Sequence, residues 1–550
     1  MATRTRLQIS AVITAVVLAA TACGSGGGDG DGDDTLVALV PSLSGSGQDI
    51  ITTLTTDFKP YWDEVFDYVL TQDKDGELAP GLASSWSVSD DHLTWSFVIR
   101  DDVIFHNGDR LTAEDVAWTW NRVIFDPQTR APNSPMAPMI EFIRAEGDTV
   151  LLKTTRPDST VPWWFNSQDG SVQGGIFPKA YFESVGAAKF FEQPIGTGPY
   201  KVVRINGEQS AELTAFTDPA RGEWQKSRTA KIPNLEVRAV PDASSRLSLV
   251  QTGAADLAPI PLAMQAQAKG AALDVIPAEN ATFSNMYCLG FTTNLQSPCN
   301  DVKVREALSI AVDRTAIAAS VYDGSARPSN GFFAGPGTFG YPEEIPAPPY
   351  DPERARALLA EAGFTEANPL TVQISIYSND SDFPNMPTMA EAIAGNYQAI
   401  GVRAELMPGD WAANKGQLLA GGFPGMKPGD PGVPIVLFMR GMDNRYYFPP
   451  DQINSYTAAG GWEKFWNNDN LPEQVRLLDA VAGEFDATAQ EARFDDYNRW
   501  MAQNFNQIPL LAADAIFVAS DKVGDWSAQT EGKAYVNNLW SVAPASSPSP

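Results

Sequence analysis

The clearest alternation of apolar and polar positions lies between residues 93 and 99. Every second residue there is large and apolar: Leu93, Trp95, Phe97 and Ile99. This period of two predicts a strand with one buried face. Asn107-Gly108 then predicts a tight turn, because both residues tolerate positive φ. Thr112, with Asp115 three residues later, predicts a capped helix. The apolar positions of that helix are Val116, Trp120 and Val123.

Similar patterns predict further strands and helices along the chain. Apolar alternation predicts strands near 36–40, 200–203, 235–239, 370–376 and 402–406. Four predicted helices are each preceded by an aspartate suited to the N-cap position: Asp242, Asp301, Asp313 and Asp351. A helical pattern separates the last two strands, which predicts a βαβ unit. The chain is therefore predicted to be of the mixed α/β class.

Composition and charge narrow the class of protein. A chain of 550 residues is long enough for two or three domains. Hydrophobic residues make up 43% and aromatic residues 10%, as in folded globular proteins. The 39 basic and 67 acidic residues give a net charge of −28, which argues against nucleic-acid binding through clustered Lys and Arg. The charge favours solubility outside the cell over an acid-specific partner.

The N-terminal sequence predicts the compartment. Arg4 and Arg6 precede an apolar run at 7–22 that is too short to span a bilayer comfortably. The small residues before Cys23 resemble the end of a bacterial lipoprotein signal, which implies removal of 1–22 and lipidation of Cys23. An ordinary secretory signal is the alternative. Residues 23–34, rich in Gly and Asp, predict a flexible tether that holds a domain at the outer face of the cytoplasmic membrane, in the cell envelope.

Two further cysteines remain. Cys288 and Cys299 form an even pair in an oxidising compartment, which predicts a disulfide, with two free buried thiols as the alternative. Their spacing is not CxxC, and His92 and His106 are the only histidines in the sequence. A metal or redox site is therefore not predicted.

Several motifs resemble those of one known family. They are PGLASSWSVSDDHLTWSFVIRDDVIFHNGDRLTAEDV at 80–116, GTGPY at 196–200, NDVKVREALSIAVDR at 300–314 and YDPE at 350–353. Together they resemble family 5 of the extracellular solute-binding proteins, the oligopeptide- and dipeptide-binding proteins of ABC importers. The resemblance implies an α/β, two-lobed periplasmic-binding-protein fold (type II-like), with an extra subdomain in the first lobe and a hinge between the lobes.

The same resemblance implies a domain organisation. The first lobe would comprise 35–285 and 510–545, with 53–190 as the extra subdomain. The second lobe would comprise 286–509, and 546–550 would be a tail.

Catalysis is not predicted. The chain has no GxSxG motif, and GTGPY lacks the further Gly and Lys of a phosphate loop. Both histidines are predicted in turns, with capping or exposed roles. A secreted carbohydrate-active enzyme remains a less favoured alternative, because a carboxylate pair cannot be located from sequence. A surface adhesion or sensor protein is the other rival class. No catalytic residue, metal site or cofactor is predicted.

The resemblance places candidate ligand contacts in the second lobe. They are Trp411, Arg440, Asp443, Asn444, Arg445 and Tyr446. An Asp can hold an α-ammonium group and an Arg can hold a carboxylate, which suits Asp443 and either Arg440 or Arg445 for peptide ends. Core packing for Trp411 and a surface location for the charged residues are the alternatives. The family's run of Gly, Asp and Asn is not reproduced here, since GDPG lies upstream at 429–432.

The predicted ligand is a peptide. An oligosaccharide, another polar organic solute such as an opine-like compound, or a metal chelate is the alternative, because the aromatic residues also suit stacking on sugar rings. The predicted partners are ABC permease subunits and, through the lipid anchor, the membrane, but not nucleic acid. The protein is expected to be a monomer.

Overall fold

The structure is a computed structural model. It describes residues 34–52, 57–73, 77–128, 136–165, 175–289, 298–332, 340–377, 385–409, 435–443, 471–526 and 538–544. The candidates Cys23, Trp411, Asn444, Arg445 and Tyr446 lie outside these ranges, and for Arg440 and Asp443 only the backbone is described. The described residues from Thr35 onward belong to one unit, Thr35–Pro550.

The main sheet has eleven strands. Its strands are β1 (Thr35–Val40), β8 (Tyr200–Asn206), β9 (Ser210–Ala215), β10 (Asn234–Ala239), β11 (Leu257–Ile260), β12 (Asp274–Leu289), β13 (Ala326–Pro328), β14 (Thr371–Tyr377), β15 (Arg403–Gly409), β16 (Ile435–Asp443) and β17 (Ile508–Ala519). Their order is β15-β14-β16-β12-β17-β11-β1-β10-β9-β8, and β13 also pairs with β17.

Eight further strands complete the set of described strands. They are β2 (Leu70–Gln72), β3 (Leu78–Pro80), β4 (Ala83–Val88), β5 (Thr94–Ile99), β6 (Ile140–Glu146), β7 (Thr149–Thr154), β18 (Val523–Asp525) and β19 (Ala543–Pro544). Strands β4, β5, β7 and β6 form an antiparallel sheet in that order, while β2 pairs with β3 and β18 with β19.

The α-helices flank these sheets. They are α1 (Lys59–Val65), α2 (Ala113–Phe125), α3 (Lys179–Val185), α4 (Ala187–Glu192), α5 (Glu223–Ser227), α6 (Ala243–Gln251), α7 (Gln265–Gly270), α8 (Val302–Ile310), α9 (Arg314–Val321), α10 (Pro352–Glu361), α11 (Met386–Ala399), α12 (Leu471–Ala482) and α13 (Ala487–Asn504). Short 3-10 turns include Val161–Phe165 and Leu539–Ser541.

The local predictions for 93–125 are confirmed. Strand β5 buries Trp95, Phe97 and Ile99, and α2 follows the turn. Thr112 and Asp115 form a reciprocal capping box, which satisfies backbone N–H groups that the first helical turn leaves free.

The predicted aspartate caps are confirmed as well. The carboxylates of Asp242, Asp301, Asp313 and Asp351 each accept a hydrogen bond from a backbone N–H in the first turn of their helix. The βαβ unit is also present: β14 and β15 are parallel, with Val372 opposite Ala404, and α11 lies between them in sequence.

The buried apolar side chains fall into two groups. One group draws on residues up to Ala278 and again from Ala515 onward. The other draws on residues between Met286 and Ala513. We call these two parts of the molecule the first lobe and the second lobe. Within the described ranges, the chain passes between them in β12 and in β17.

The two crossing strands are antiparallel neighbours. Their pairing is shifted between Ala278 and Thr282, and again between Phe283 and Asn285. These irregularities lie where the strands leave one apolar core and enter the other. An irregular register twists and bends a ladder locally, so the crossing can change direction more readily than a regular ladder would.

In the described ranges, no helix combines the length and the apolar character needed to cross a membrane.

Candidate functional site

Two candidate ligand-binding residues fall within the described ranges. Both lie on β16, next to the place where β12 passes from one lobe to the other. Strand β16 pairs with β12 on the side opposite β17. In this register Arg440 lies opposite Asn285 and Asp443 lies opposite Thr282. The two charged residues predicted to hold peptide ends are therefore placed beside the crossing.

Polar side chains are buried at the same place. Asn285 is fully buried, and its Nδ2 donates to the carbonyl of Phe332 and to Oε1 of Gln507, the latter at 3.2 Å. Among the described residues, Oδ1 of Asn285 and Nε2 of Gln507 have no hydrogen-bond partner. A buried polar atom without a partner costs about 1–3 kcal/mol. The crossing thus retains hydrogen-bonding capacity next to the position of Arg440, as a polar ligand or a water requires.

Two buried arginines of the second lobe hold the end of α13 and the start of β17. Arg314 donates to the carbonyls of Pro509 at 2.7 Å and Ser309 at 3.0 Å. Arg305 donates to the carbonyls of Asn504 at 2.8 Å and Cys299 at 2.7 Å. Burial lowers the pKa of each guanidinium to about 10, so both remain charged at neutral pH.

These arginines explain part of the family motif at 300–314. The motif was predicted to form a capped helix, without a role for its arginines. Their position within a helix that otherwise buries apolar residues was the available signal, because a buried charge requires several hydrogen-bond partners.

The motif GTGPY packs against the end of α1. A Cβ added at Gly196 would lie 2.1 Å from the carbonyl oxygen of Val65, and one at Gly198 would lie 2.6 Å from that of Glu64. Thr197 between them donates to Oδ2 of Asp67 at 2.8 Å. The glycines are needed for close backbone approach, so the motif serves packing in the first lobe.

The histidine of FHNGD joins this motif. Nδ1 of His106 accepts a hydrogen bond from the N–H of Gly196 at 3.3 Å, and Nε2 donates to the carbonyl of Gly198 at 3.0 Å. Burial lowers the pKa of the imidazole to about 4, which keeps it neutral. His106 lies in a turn as predicted, and its partly buried ring bridges two backbone groups of the GTGPY loop, which is a structural role. Both ring nitrogens are engaged, which leaves neither for acid–base chemistry.

His92 lies in the turn before β5, as predicted. It adopts a left-handed backbone conformation with φ of 58°, and its ring stacks on Phe485 with centroids 4.0 Å apart.

A second buried polar cluster lies in the first lobe. Arg228 forms an ion pair with the buried carboxylate of Asp67. Glu64 accepts hydrogen bonds from the N–H groups of Leu539 at 2.6 Å and Trp540 at 3.1 Å. Burial raises the pKa of Glu64 to about 8, against the opposing effect of these donors and of Arg228. The cluster joins α1 to the C-terminal segment.

Cys288 and Cys299 are joined by a disulfide. Their Cα atoms are 6.0 Å apart and they are separated by 11 positions in sequence. The bridge ties the end of β12 to the turn that precedes α8. Among the described residues, no group of three or more His, Cys, Asp or Glu side chains is arranged to hold a metal ion.

Comparison with known proteins identifies the family. Residues 77–429 match the family described as "Bacterial extracellular solute-binding proteins, family 5 Middle". This match covers more than half of the chain, and the chain belongs to that family. The predicted two-lobed α/β fold is confirmed by the solved structures of similar proteins.

Two sequence relatives and one solved structure illustrate which proteins this chain is similar to. Heme-binding protein A of Haemophilus influenzae is 30% identical over 371 residues, covering 63% of this chain and 66% of that protein. The dipeptide-binding protein of Escherichia coli is 28% identical over 362 residues, covering 61% and 64%. The oligopeptide-binding protein AppA of Bacillus subtilis, solved with a nonapeptide, has a TM-score of 0.72 and 18% identity, covering 93% of this chain and 99% of that one. The chain thus matches about two thirds of the length of these two sequence relatives.

Proposed function

We propose that this protein is the solute-binding component of an ABC importer, which captures a peptide between its lobes and delivers it to a membrane permease. Membership of family 5 over residues 77–429 is the observation that carries the proposal. Two separately packed lobes joined by two bent strands suit a cleft that closes on its ligand. The ligand favours the closed state by its higher affinity for that state.

The proposed ligand contacts come from the family resemblance, and the backbone register beside β12 supports Arg440 and Asp443. Asp443 holds the α-ammonium group of the peptide, and Arg440 or Arg445 holds its carboxylate. Trp411, Asn444 and Tyr446 complete the cleft wall. The spare hydrogen-bonding capacity of Asn285 and Gln507 beside β16 supports a polar ligand at this place.

The boundaries and anchor belong to the same proposal. The first lobe comprises 35–285 and 510–545, with the extra subdomain at 53–190, and the second lobe comprises 286–509. Cys23 carries a lipid after removal of 1–22, and the tether at 23–34 holds the monomeric protein at the outer face of the cytoplasmic membrane. The protein carries out no covalent chemistry.

A metal chelate is the second candidate ligand. The relative from Haemophilus influenzae is a heme-binding protein by name. Among the described residues no group is arranged to hold a bare ion, so a complexed metal would be recognised through its organic ligand.

The first experiment identifies the ligand. Mass spectrometry of small molecules released from the purified protein is expected to find mixed short peptides. Isothermal titration with a tripeptide and with its N-acetylated form then tests the proposed ammonium contact. Asp443→Asn is expected to weaken binding of the free tripeptide by about 2 kcal/mol, because the buried ammonium loses its charged partner, and to leave the acetylated form unaffected.

Glu391→Gln is the matched control, because Glu391 is an exposed carboxylate on α11 in the second lobe. Recovery of a sugar or a chelate in place of peptides would show that the ligand class is wrong. Turnover of a chromogenic glycoside, abolished by replacing one carboxylate, would overturn the binding function itself.

A further inference from the structure

The two lobes also contact each other at a second place, which involves neither of the joining strands β12 and β17. The contact lies between residues that flank β5 and β7 of the four-stranded sheet, among them His92, Arg156 and Ser159, and the helices α12 and α13. The sheet packs into the first lobe's core, whereas α12 and α13 pack with Phe332 and Ala512 into the second lobe's core. Any relative motion of the lobes must therefore break or slide this contact.

The centre of the contact is a helix end. Ala482 is the last residue of α12, and its carbonyl has no partner within that helix's regular pattern. Ser159 of the first lobe supplies two donors to it: its N–H at 2.7 Å and its hydroxyl at 2.9 Å. One lobe thus caps a helix of the other.

Gln490 of α13 adds a further hydrogen bond between the two lobes. Its Nε2 donates to the hydroxyl of Ser159 at 2.6 Å, and also to the carbonyls of Val481 and Glu484 at 3.2 Å each. The same amide therefore organises the connection between α12 and α13 and binds the opposite lobe.

The turn that carries Ser159 is held in place from within the first lobe. The buried carboxylate of Asp158 accepts hydrogen bonds from the N–H of Thr160 at 2.9 Å and from its hydroxyl at 2.6 Å. The indole of Trp95 donates to the carbonyl of Asp158 at 3.1 Å. A preorganised turn loses little conformational freedom when the contact forms.

An aromatic contact and an ion pair flank the centre. Phe485, between α12 and α13, packs against the first lobe's apolar core and stacks on His92. Arg156 pairs with Asp479 at 2.5 Å, with both side chains about two fifths exposed (40% and 43%). An exposed pair of this kind adds little, so the helix cap and Phe485 provide most of the attraction.

We propose that His92, Arg156 and Ser159 of the first lobe, with Asp479, Ala482, Phe485 and Gln490 of the second, form a latch that holds the lobes closed and sets how often the ligand-free protein closes. The latch is made mostly of hydrogen bonds between partly buried groups around one large apolar side chain. Such a contact is reversible, unlike a continuous apolar core.

The latch acts independently of ligand identity. It stabilises the closed state by the same amount whatever lies in the cleft. An apparent dissociation constant equals the intrinsic constant divided by the closed fraction. Weakening the latch therefore raises the apparent dissociation constants of all ligands by one common factor.

The test uses the ligand-free protein, stripped by unfolding in urea and refolding. Ser159→Ala combined with Gln490→Ala removes the side-chain part of the cap, and Phe485→Ala removes the aromatic contact. The radius of gyration from small-angle X-ray scattering is expected to increase in both variants. Amide hydrogen exchange at position 159, corrected for the intrinsic rate of the residue present, is expected to accelerate at least tenfold.

Arg476→Ala is the matched control, because Arg476 lies on α12 and pairs with Glu473 on an exposed face. The wild-type radius and exchange rate are expected in this control. If a latch variant does not refold, the single variants Ser159→Ala and Gln490→Ala give the same readouts with a smaller perturbation. Unchanged scattering and exchange in all latch variants would overturn the proposal. This test needs no peptide, so its result is separate from the proposed transport function.

Discussion

Nε2 of His106 donates to the carbonyl of Gly198 at 3.0 Å across 92 positions of sequence. The bond joins two motifs of the family, FHNGD and GTGPY, in the core of the first lobe. Because Nδ1 of the same ring accepts the N–H of Gly196, the fold selects the neutral imidazole. Both motifs therefore serve stability in this protein.

Because the fold favours the neutral imidazole of His106, the stability of the protein is predicted to depend on pH. The pKa of His106 is lowered from 6.5 to about 4 in the folded protein. The unfolded chain therefore binds the proton more readily, and the stability due to the neutral ring is full above pH 6.5 and lost as the pH falls towards 4. The loss is roughly 3 kcal/mol.

His106→Asn is expected to lack this part of the slope. The measurement is urea unfolding of both proteins at pH 7, 5.5 and 4.5, and the relevant quantity is the difference between their free energies of unfolding. That difference is expected to shrink as the pH falls. A constant difference would show that His106 does not titrate on unfolding.

Gly196→Ala tests the close approach at GTGPY. The new Cβ would lie 2.1 Å from the carbonyl oxygen of Val65, and because that atom is backbone, the loop must move. The expected loss of stability is about 2–3 kcal/mol, measured as a lower urea midpoint. Gly395→Ala is the matched control, since a Cβ at Gly395 in α11 meets nothing within 4 Å. That control is expected to gain about 0.5–1 kcal/mol from helix propensity. Equal effects at both positions would contradict the packing role.

The raised pKa of Glu64 predicts that stability depends on pH with the opposite sign to that expected for His106. Its pKa is raised from 4.5 to about 8 by burial, so the folded state favours the protonated carboxyl. The stability from this group is full below pH 4.5 and is lost as the pH rises through 8. Glu64→Gln keeps a neutral acceptor and is expected to remove this loss. The measurement is the difference in free energy of unfolding between wild type and variant at pH 5, 6.5 and 8.

The C-terminal segment provides a second readout for Glu64. Glu64→Ala removes the acceptor for the N–H groups of Leu539 and Trp540, so their amide exchange is expected to accelerate. Glu64→Gln is expected to retain more of their protection. Equal protection in wild type and Glu64→Ala would mean that the segment is held by other contacts.

The disulfide leads to two predictions, one for the mass of the native protein and one for its free energy of unfolding. The native protein is expected to be lighter by two hydrogens than its reduced form, with neither Cys288 nor Cys299 alkylated before reduction. Replacing both cysteines by serine is expected to cost about 3 kcal/mol, since the bridge restricts the unfolded chain. Two alkylatable thiols in the native protein would refute the bridge.

Local elements were predictable because their causes are local. The alternation in β5, the capping box of Thr112 and Asp115, and the aspartate caps each depend on residues within one turn or one strand. The βαβ unit at 371–409 follows the same logic, since a parallel pair requires a crossover.

Contacts across long separations were not predictable. Arg305 binds the carbonyl of Asn504, 199 positions away, and Ser159 receives Gln490 from 331 positions away. No residue type or spacing indicates such partners. His106 shows the consequence: its turn was predicted, but its hydrogen bonds to Gly196 and Gly198, 90 and 92 positions away, were not.

For the candidate cleft residues, too, part of the information came from the sequence and part from the structure. Arg440 and Asp443 were proposed from a family resemblance, and the structure adds their positions opposite Asn285 and Thr282 at the strand crossing. The buried polar atoms of Asn285 and Gln507 carried no sequence signal, because an amide looks the same in a chain whether it is exposed or enclosed.

The sequence by itself determined the family, the mixed α/β class and the local elements, because those depend on patterns and neighbours that the chain order contains. The tertiary structure decided which buried groups meet: the His106 bond to GTGPY, the guanidinium contacts of Arg305 and Arg314, and the contact of Ser159 with the end of α12. The physical reason is that burial and hydrogen bonding are properties of the packed chain, and packing brings together residues that the sequence keeps hundreds of positions apart.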